Sequence, residues 1–328
     1  AVTGSAGKTT VKECIGLLLS QAFKVCVGFG NWNNHIGVPL NIFQLTGEDR
    51  CLVLELGANH EGEIALLAKI AQPTVGVITN VHPVHLEGFG SLERIYQAKL
   101  ELADFLDLNG GTVIANGDDP ELMRRLKGRR FSLVTFGTRK DCDYSLSDLE
   151  ARDGWIQFRV NDAFQFRLKG FGAFNAMNAL AAIATAGFFN LDLKLLSESR
   201  SALPAIDGRF HFIQWRSPEI QLVDDSYNAN PQSFEEALAS FQALAGKRRT
   251  IVLAGDMLEL GERSQFYHEA LGRRLGECEI DFVIGVGAMS QFVLDGFLAI
   301  QPDADTAHFM EAEPASRFLA SILRDGDS

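Results

Sequence analysis

Nowhere in its 328 residues does the chain hold an uninterrupted apolar run of the roughly 20 residues a membrane span needs, and no signal peptide is visible. Cysteine is scarce. Cys14, Cys26, Cys51, Cys142 and Cys278 are odd in number, widely spaced and mostly in apolar surroundings, which excludes a disulfide framework or a thiolate zinc site and fits a reducing cytoplasm. Positive charge is also short: 30 Lys and Arg stand against 42 Asp and Glu, for a net charge of −12. That balance opposes non-specific binding to nucleic acid or anionic membrane. An anionic ligand must therefore be met locally, by backbone N–H groups, a few Lys or Arg, and metal ions. Repeats of solenoid period and low-complexity tracts are absent as well.

What is there is apolar residue, 46% of the chain, in short runs separated by amphipathic segments. Runs such as Cys51-Leu52-Val53-Leu54, Thr74–Ile78 and Gly111–Ile114 read as buried strands in an α/β alternation. Between Phe131 and Leu168 the pattern turns to alternating strands, which suggests an antiparallel patch. The Ala-rich segment Asn175–Phe189 reads as a buried helix. Strands at Ile220–Asp224, Thr250–Leu253, Asp281–Val286 and Thr306–Phe309 then alternate with helices opening near Pro231, Glu262, Ala288 and Pro314. This length and rhythm predict two α/β domains, 1–207 with a mostly parallel sheet and 208–328 of Rossmann-like type.

The strongest local signal is Thr3-Gly4-Ser5-Ala6-Gly7-Lys8-Thr9-Thr10, set between the strand-like Ala1-Val2-Thr3 and the helix-like Val11–Gln21. Glycines let a backbone wrap a phosphate, Lys8 neutralises it, and Thr9 offers a hydroxyl to Mg²⁺. The first domain is thus expected to be a P-loop ATPase domain. The loop departs from the standard G-x-x-x-x-G-K-[ST] spacing, because Gly4 stands only three residues before Gly7.

Glu55 ends an apolar strand, where a carboxylate is costly unless it meets a cation or serves a ligand crevice. Beside a phosphate loop, Thr9 and Glu55 as ligands of one Mg²⁺ is the better reading than a salt-bridged or capping glutamate. On their own, His85 reads as a hydrogen-bonded structural histidine and Lys99 as a solvated helix lysine. Asn175 and Asn178 share a helix face, suited to an adenine edge or to an N-cap plus a buried polar contact. Tyr227-Asn228-Ala229-Asn230-Pro231 falls between a strand and a helix, the place of a ligand loop, although a plain turn uses the same residues. Tyr267 and His268 read as surface residues of a helix.

In this order the motifs resemble the Mur ligase family and its folylpolyglutamate synthetase relatives. The resemblance rests on the variant loop, Asn33-Asn34-His35-Ile36-Gly37-Val38-Pro39, Glu55-Leu56-Gly57-Ala58, and Ile78-Thr79-Asn80-Val81 followed by His85-Leu86-Glu87. Asp224–Pro231 and Gly255–Gly261 are most similar to the branch that adds D-alanyl-D-alanine. It implies an ATP-dependent, ADP-forming acid–amino-acid ligase of cell-wall peptidoglycan synthesis. UDP-N-acetylmuramoyl-tripeptide would be activated as an acyl phosphate and attacked by the amine of D-Ala-D-Ala. Single-amino-acid ligases of the same fold and a P-loop phosphotransferase are the rival readings.

The resemblance also implies roles for residues. Gly4, Ser5, Ala6, Gly7, Lys8, Thr9 and Thr10 hold the phosphates of ATP, Asn178 the adenine, Asp225 the ribose, and Arg209 reaches the nucleotide from the domain junction. Two Mg²⁺ ions are expected, one on Thr9 and Glu55, the other near His85 and a carbamylated Lys99. Lys8, His85 and Lys99 are the expected catalytic residues. A carbamate needs a neutral amine, so Lys99 must be desolvated or near other cations. Asn33, Asn34, Tyr227, Asn228 and Asn230 are the expected substrate-binding residues. The family usually has His where Phe174 stands, so that histidine's role does not carry over. A cytoplasmic monomer without a nucleic-acid partner is expected. In the family a UDP-binding domain precedes the phosphate loop, and the α/β alternation calls for one more strand after the last helix, so both ends read as cut.

Overall fold

The computed structural model describes residues 1–84, 86–152, 154–170, 172–198, 211–215, 219–226 and 229–328. They fall into two compact units, Ala1–Pro83 with Gly88–Ala205, and Val84–Glu87 with Ile206–Ser328.

The first unit begins with β1 (Val2–Thr3), α1 (Lys8–Leu19), β2 (Val25–Val27), α2 (Gly37–Ile42), β3 (Cys51–Val53), α3 (Glu63–Ala71) and β4 (Val75–Ile78). A short α4 (Leu86–Phe89), whose first two residues are counted with the second unit, leads to α5 (Leu92–Asn109), β5 (Thr112–Asn116), α6 (Pro120–Leu126) and β6 (Ser132–Gly137). An antiparallel meander, β7 (Tyr144–Arg152), β8 (Trp155–Val160) and β9 (Phe164–Lys169), precedes α7 (Ala173–Phe188) and α8 (Leu193–Glu198). Hydrogen-bonded strands run β1-β4-β5-β6-β7-β8-β9, and β2 pairs with β3. Val2 N–H donates to Leu54 O and Leu56 N–H to Val2 O, both at 2.8 Å, which seats β1 between β3 and β4. From β1 the chain passes to the outer strand β2, returns through β3 beside β1 and then crosses to β4 on the other side, so the reversal that opens a ligand crevice falls at the end of β1. The antiparallel patch starts later than the residue pattern suggests: β6 is parallel to β5, and β7 to β6.

Alanines 176, 179, 181, 182, 184 and 186 of α7 are all buried, and their small side chains let it pack against the apolar face of α1 (Val11, Cys14, Ile15, Leu18). Helix α5 buries Ile95, Ala98, Lys99, Leu102, Ala103 and Leu106. This stripe has the three-four spacing of one helix face, and Lys99 lies in it.

In the second unit β10 (His211–Gln214) and β11 (Gln221–Asp224) form an antiparallel pair. Then follow α9 (Pro231–Ala245), β12 (Ile251–Gly255), α10 (Ser264–Glu277), β13 (Phe282–Val286), α11 (Ser290–Leu298), β14 (Asp305–Phe309) and α12 (Ala312–Ile322). β12, β13 and β14 are parallel. Asp327 O accepts from Gln221 N at 3.0 Å and Ser328 O from Ile251 N at 2.8 Å, tying the terminal residues to both sheets.

His268 is not a surface residue. It is fully buried, on the α10 face that also buries Leu271, Gly272 and Leu275. Its Nε2 accepts from Met257 N at 2.9 Å, so Nδ1 carries the proton and donates to Ser264 O at 2.7 Å. The five cysteines are free, and no helix among the described residues is long and apolar enough to cross a membrane.

Helices α10 and α11 cross with their backbones touching: a Cβ on Gly272 would lie 1.9 Å from Val293 O, and one on Gly296 2.2 Å from Glu269 O. Gly272→Ala must therefore push the helices apart. The expected loss is about 1–3 kcal/mol or more, read by urea denaturation of the second unit's signal. Gly255→Ala, whose Cβ meets nothing within 4 Å, is the control and stays within about 0.5 kcal/mol of the parent.

Candidate active site

The site grows from the carboxyl end of β1. Gly7 caps α1 in a left-handed conformation, φ 77°, which a side chain would strain, and the Asn178 amide lies where its Cβ would be, 2.1 Å from Oδ1. The loop is fastened to the segment following β4. Ser5 N donates to Asn80 O at 3.0 Å and Ala6 N to Asn80 Oδ1 at 2.8 Å. Thr79 Oγ1 donates to Ala6 O at 2.6 Å, and Ser5 Oγ to His82 O at 3.0 Å. Lys8 folds back, its Nζ donating to Gly4 O at 3.0 Å and Ser5 O at 3.2 Å. The result is a rigid backbone cradle at the amino end of a 12-residue helix, where N–H groups and the helix dipole favour an anion.

Glu55 is only 4% exposed. Thr9 Oγ1 donates to its Oε2 and Asn33 Nδ2 to its Oε1, each at 2.7 Å. Asn33 is itself fixed, because its carbonyl accepts from Gly57 N at 2.9 Å and Gly57 has no Cβ to collide with the amide. Among the described residues no cationic side chain pairs with Glu55. A buried carboxylate whose hydrogen bonds come from neutral donors keeps free lone pairs, and Lys99 reaches it through its charge without an ion pair, which fits a cation bound beside Thr9.

Lys99 is 1% exposed, with Nζ 5.5 Å from the centre of the Phe89 ring. Burial, and after it the charge of Lys8, pushes its pKa down to about 7. A substantial neutral fraction exists at physiological pH, as the chemistry of carbamylation needs.

The other expected residues divide. Thr10 is buried at the start of α1, and Asn178 abuts the phosphate loop. Asn34 Oδ1 accepts from Ile36 N at 3.1 Å and Gly37 N at 2.9 Å, holding the start of α2. Asn230 forms a capping box with Ser233 at the start of α9. Asp225 is half-buried just past β11. His85, Arg209, Tyr227 and Asn228 lie outside the described residues. Among the described residues no three His, Cys, Asp or Glu side chains cluster to hold a metal. A cavity of about 260 Å³ lined by Ala1, Arg50, Thr74 and Phe189 sits at the opposite ends of the strands, away from the loop. Sequence reasoning had no structural task for Thr79 and Asn80, which fasten the loop, and passed over Lys12.

Asn80→Ala frees Ala6 N from its partner and loosens the cradle. ADP affinity is expected to fall about tenfold, roughly the worth of one lost charge-free bond plus loop ordering, read by calorimetry. For Lys99 the folded pKa lies below the unfolded value of 10.5, so the unfolded chain holds the extra proton between about 7 and 10.5 and stability rises with pH across that window. In CO₂-free buffer, the parent's free energy of unfolding, read by chemical denaturation, should therefore gain on that of Lys99→Met from pH 7 upward, with a flat difference below 7. Parallel curves throughout would place Lys99 in water.

Residues 2–186 match the Mur ligase middle domain and 208–328 the Mur ligase, glutamate ligase domain. UDP-N-acetylmuramoyl-tripeptide–D-alanyl-D-alanine ligase of Bacillus subtilis is 32% identical over 327 residues, 99% of this chain and 70% of its own length. The ligase of the same name from Haemophilus influenzae is 36% identical, again over 99% of this chain and 70% of its own. The crystal structure of MurF ligase from Thermotoga maritima in complex with ADP superposes with a TM-score of 0.86 at 30% identity, covering 99% of this chain and 74% of that one. With both domains matched and sequence likeness sustained end to end, the chain belongs to the Mur ligase family.

Proposed function

We propose that this chain carries the ATP-using chemistry of a ligase that joins D-Ala-D-Ala to UDP-N-acetylmuramoyl-tripeptide, through domains 1–207 and 208–328. The observation that carries the reading is Glu55, a buried carboxylate held by Thr9 at the mouth of a phosphate loop, with Lys8 and Lys99 alongside. Its likeness to ligases of that name supports the choice of substrates.

The cradle of Gly4–Thr10 binds the triphosphate and Asn178 the adenine, while Arg209 and Asp225 are carried over as nucleotide-binding residues from the family resemblance alone. Lys8 exchanges two loop carbonyls for phosphate oxygens, which are stronger, charged acceptors. Bound Mg²⁺, one ion on Thr9 and Glu55 and a second near His85 and carbamylated Lys99, supplies the positive charge that phosphoryl transfer to a carboxylate requires. The γ-phosphoryl moves to the terminal carboxylate of the tripeptide, leaving ADP. The D-Ala-D-Ala amine then attacks the acyl carbon, a C–N bond forms, the C–O bond to phosphate breaks, and the amine loses a proton. Asn33 acts through Glu55, Asn34 and Asn230 hold the starts of α2 and α9, and Tyr227 and Asn228 are carried over as substrate-binding residues from the family resemblance alone.

Phosphate release from ATP is measured with UDP-tripeptide and D-Ala-D-Ala added singly and together. Release that requires both, matched by an amide product in mass spectrometry, is the expected result. Release independent of any acceptor makes the protein a simple ATPase, and turnover with single amino acids instead of the dipeptide makes it another ligase. Removing CO₂ should abolish turnover and bicarbonate restore it, with Lys99→Ala insensitive to bicarbonate but partly rescued by short carboxylates. Turnover indifferent to CO₂ overturns the carbamate.

A further inference from the structure

Lys12 is as deeply buried as any charged side chain described here, 1% exposed on α1. All three of its N–H donors have partners: Gly28 O at 2.5 Å, Gly30 O at 2.6 Å and Glu13 Oε1 at 2.8 Å. Holding an ammonium in a helix–sheet interface is costly compared with a Met or Leu of similar size. The partners indicate what is gained. Gly28 and Gly30 open the loop from β2 to α2, and three residues after Gly30 that loop delivers Asn33 to Glu55. Asn41 steadies the stretch between, accepting from Phe29 N and donating to Trp32 O, each at 2.9 Å.

Thr9 and Lys12 are three residues apart on one rigid helix, a rise of about 4.5 Å. Thr9 grips Oε2 of Glu55 directly, whereas Oε1 is gripped by Asn33, at the end of the loop that Lys12 anchors. Both oxygens are thereby referenced to the same helix that begins at the phosphate loop. We propose that Lys12 is a positioning residue, which through the Gly28–Asn33 loop fixes the orientation of the Glu55 carboxylate toward the cation accompanying the nucleotide. This rests on the reading of Glu55 as a Mg²⁺ ligand. Lys12 touches neither nucleotide nor metal; it removes the rotational freedom by which a glutamate on a loose loop would lose geometry for an ion that tolerates little deviation from octahedral.

ADP binding is titrated by calorimetry over a range of Mg²⁺ for the parent, Lys12→Met, Asn33→Ala, their double variant and Glu55→Gln. Lys12→Met is expected to raise the Mg²⁺ needed for half-maximal gain in ADP affinity about tenfold, while affinity in EDTA stays within about twofold. The double variant should be no worse than Asn33→Ala alone, because the two changes break one chain of contacts. Should Lys12→Met fail to fold, Lys12→Gln, which retains donors for one carbonyl, takes its place. A Mg²⁺ curve overlapping the parent's while that of Glu55→Gln shifts overturns the positioning role, as does strict additivity with Asn33→Ala. An unshifted curve for Glu55→Gln overturns the metal reading itself, and this inference with it.

Discussion

A carboxylate taken out of water without a cationic partner constrains everything near it. Glu55 stands just past β3 where that strand borders β1, and its two oxygens are met by a hydroxyl from α1 and an amide from the loop before α2. Three pieces of chain must therefore hold their places to within a few tenths of an ångström, or the group loses a bond it cannot recover from solvent. The close approach of Gly57 to Asn33, the burial of Lys12 and the position of Thr9 are arranged around that requirement.

The phosphate loop is stiffened by the same logic with opposite polarity. Main-chain groups of Ser5 and Ala6 bond to Asn80, and the Thr79 hydroxyl closes on Ala6 O, so the strand neighbouring β1 sets the loop's shape before any ligand arrives. Donors fixed in advance lose little on binding, which is the condition for charge stabilisation in a phosphoryl-transfer site. Burial, and after it the charge of Lys8, weakens the proton on Lys99.

In the second unit His268 is a fully buried polar group, which carries a main-chain contact on each ring nitrogen and fixes Met257 in the Gly255–Gly261 segment. The neighbouring helix crossing depends on glycines 272 and 296, which bring the backbones of α10 and α11 into contact. Both features trade side-chain volume for a fixed placement of main chain.

Much of this was legible from the residues alone. Apolar runs bounded by turn residues located β3, β4, β5 and the parallel strands of the second unit within a residue or two, and Asn230-Pro231 located the start of α9. The spacing Gly-x-x-Gly-Lys-Thr announced a phosphate cradle, since few other tasks require glycine, lysine and a hydroxyl in succession. Lys99 was misread on its residues alone as a solvated helix lysine, and its burial in the stripe 95-98-99-102-103-106 overturns that reading. What periodicity could not report was partnership across distance. Whether a lysine such as Lys12 lies in water or against Gly28 and Gly30, whether His268 faces solvent or Met257, and whether Asn34 and Asn230 hold a ligand or a helix end depends on which segments tertiary packing brings together. The sequence by itself determined the elements and the chemistry on offer, because backbone propensity and side-chain type are local properties. Only the tertiary structure decided which oxygen meets which donor, because those pairs join residues far apart in the chain, 46 positions for Thr9 and Glu55 and 77 for Ser5 and His82.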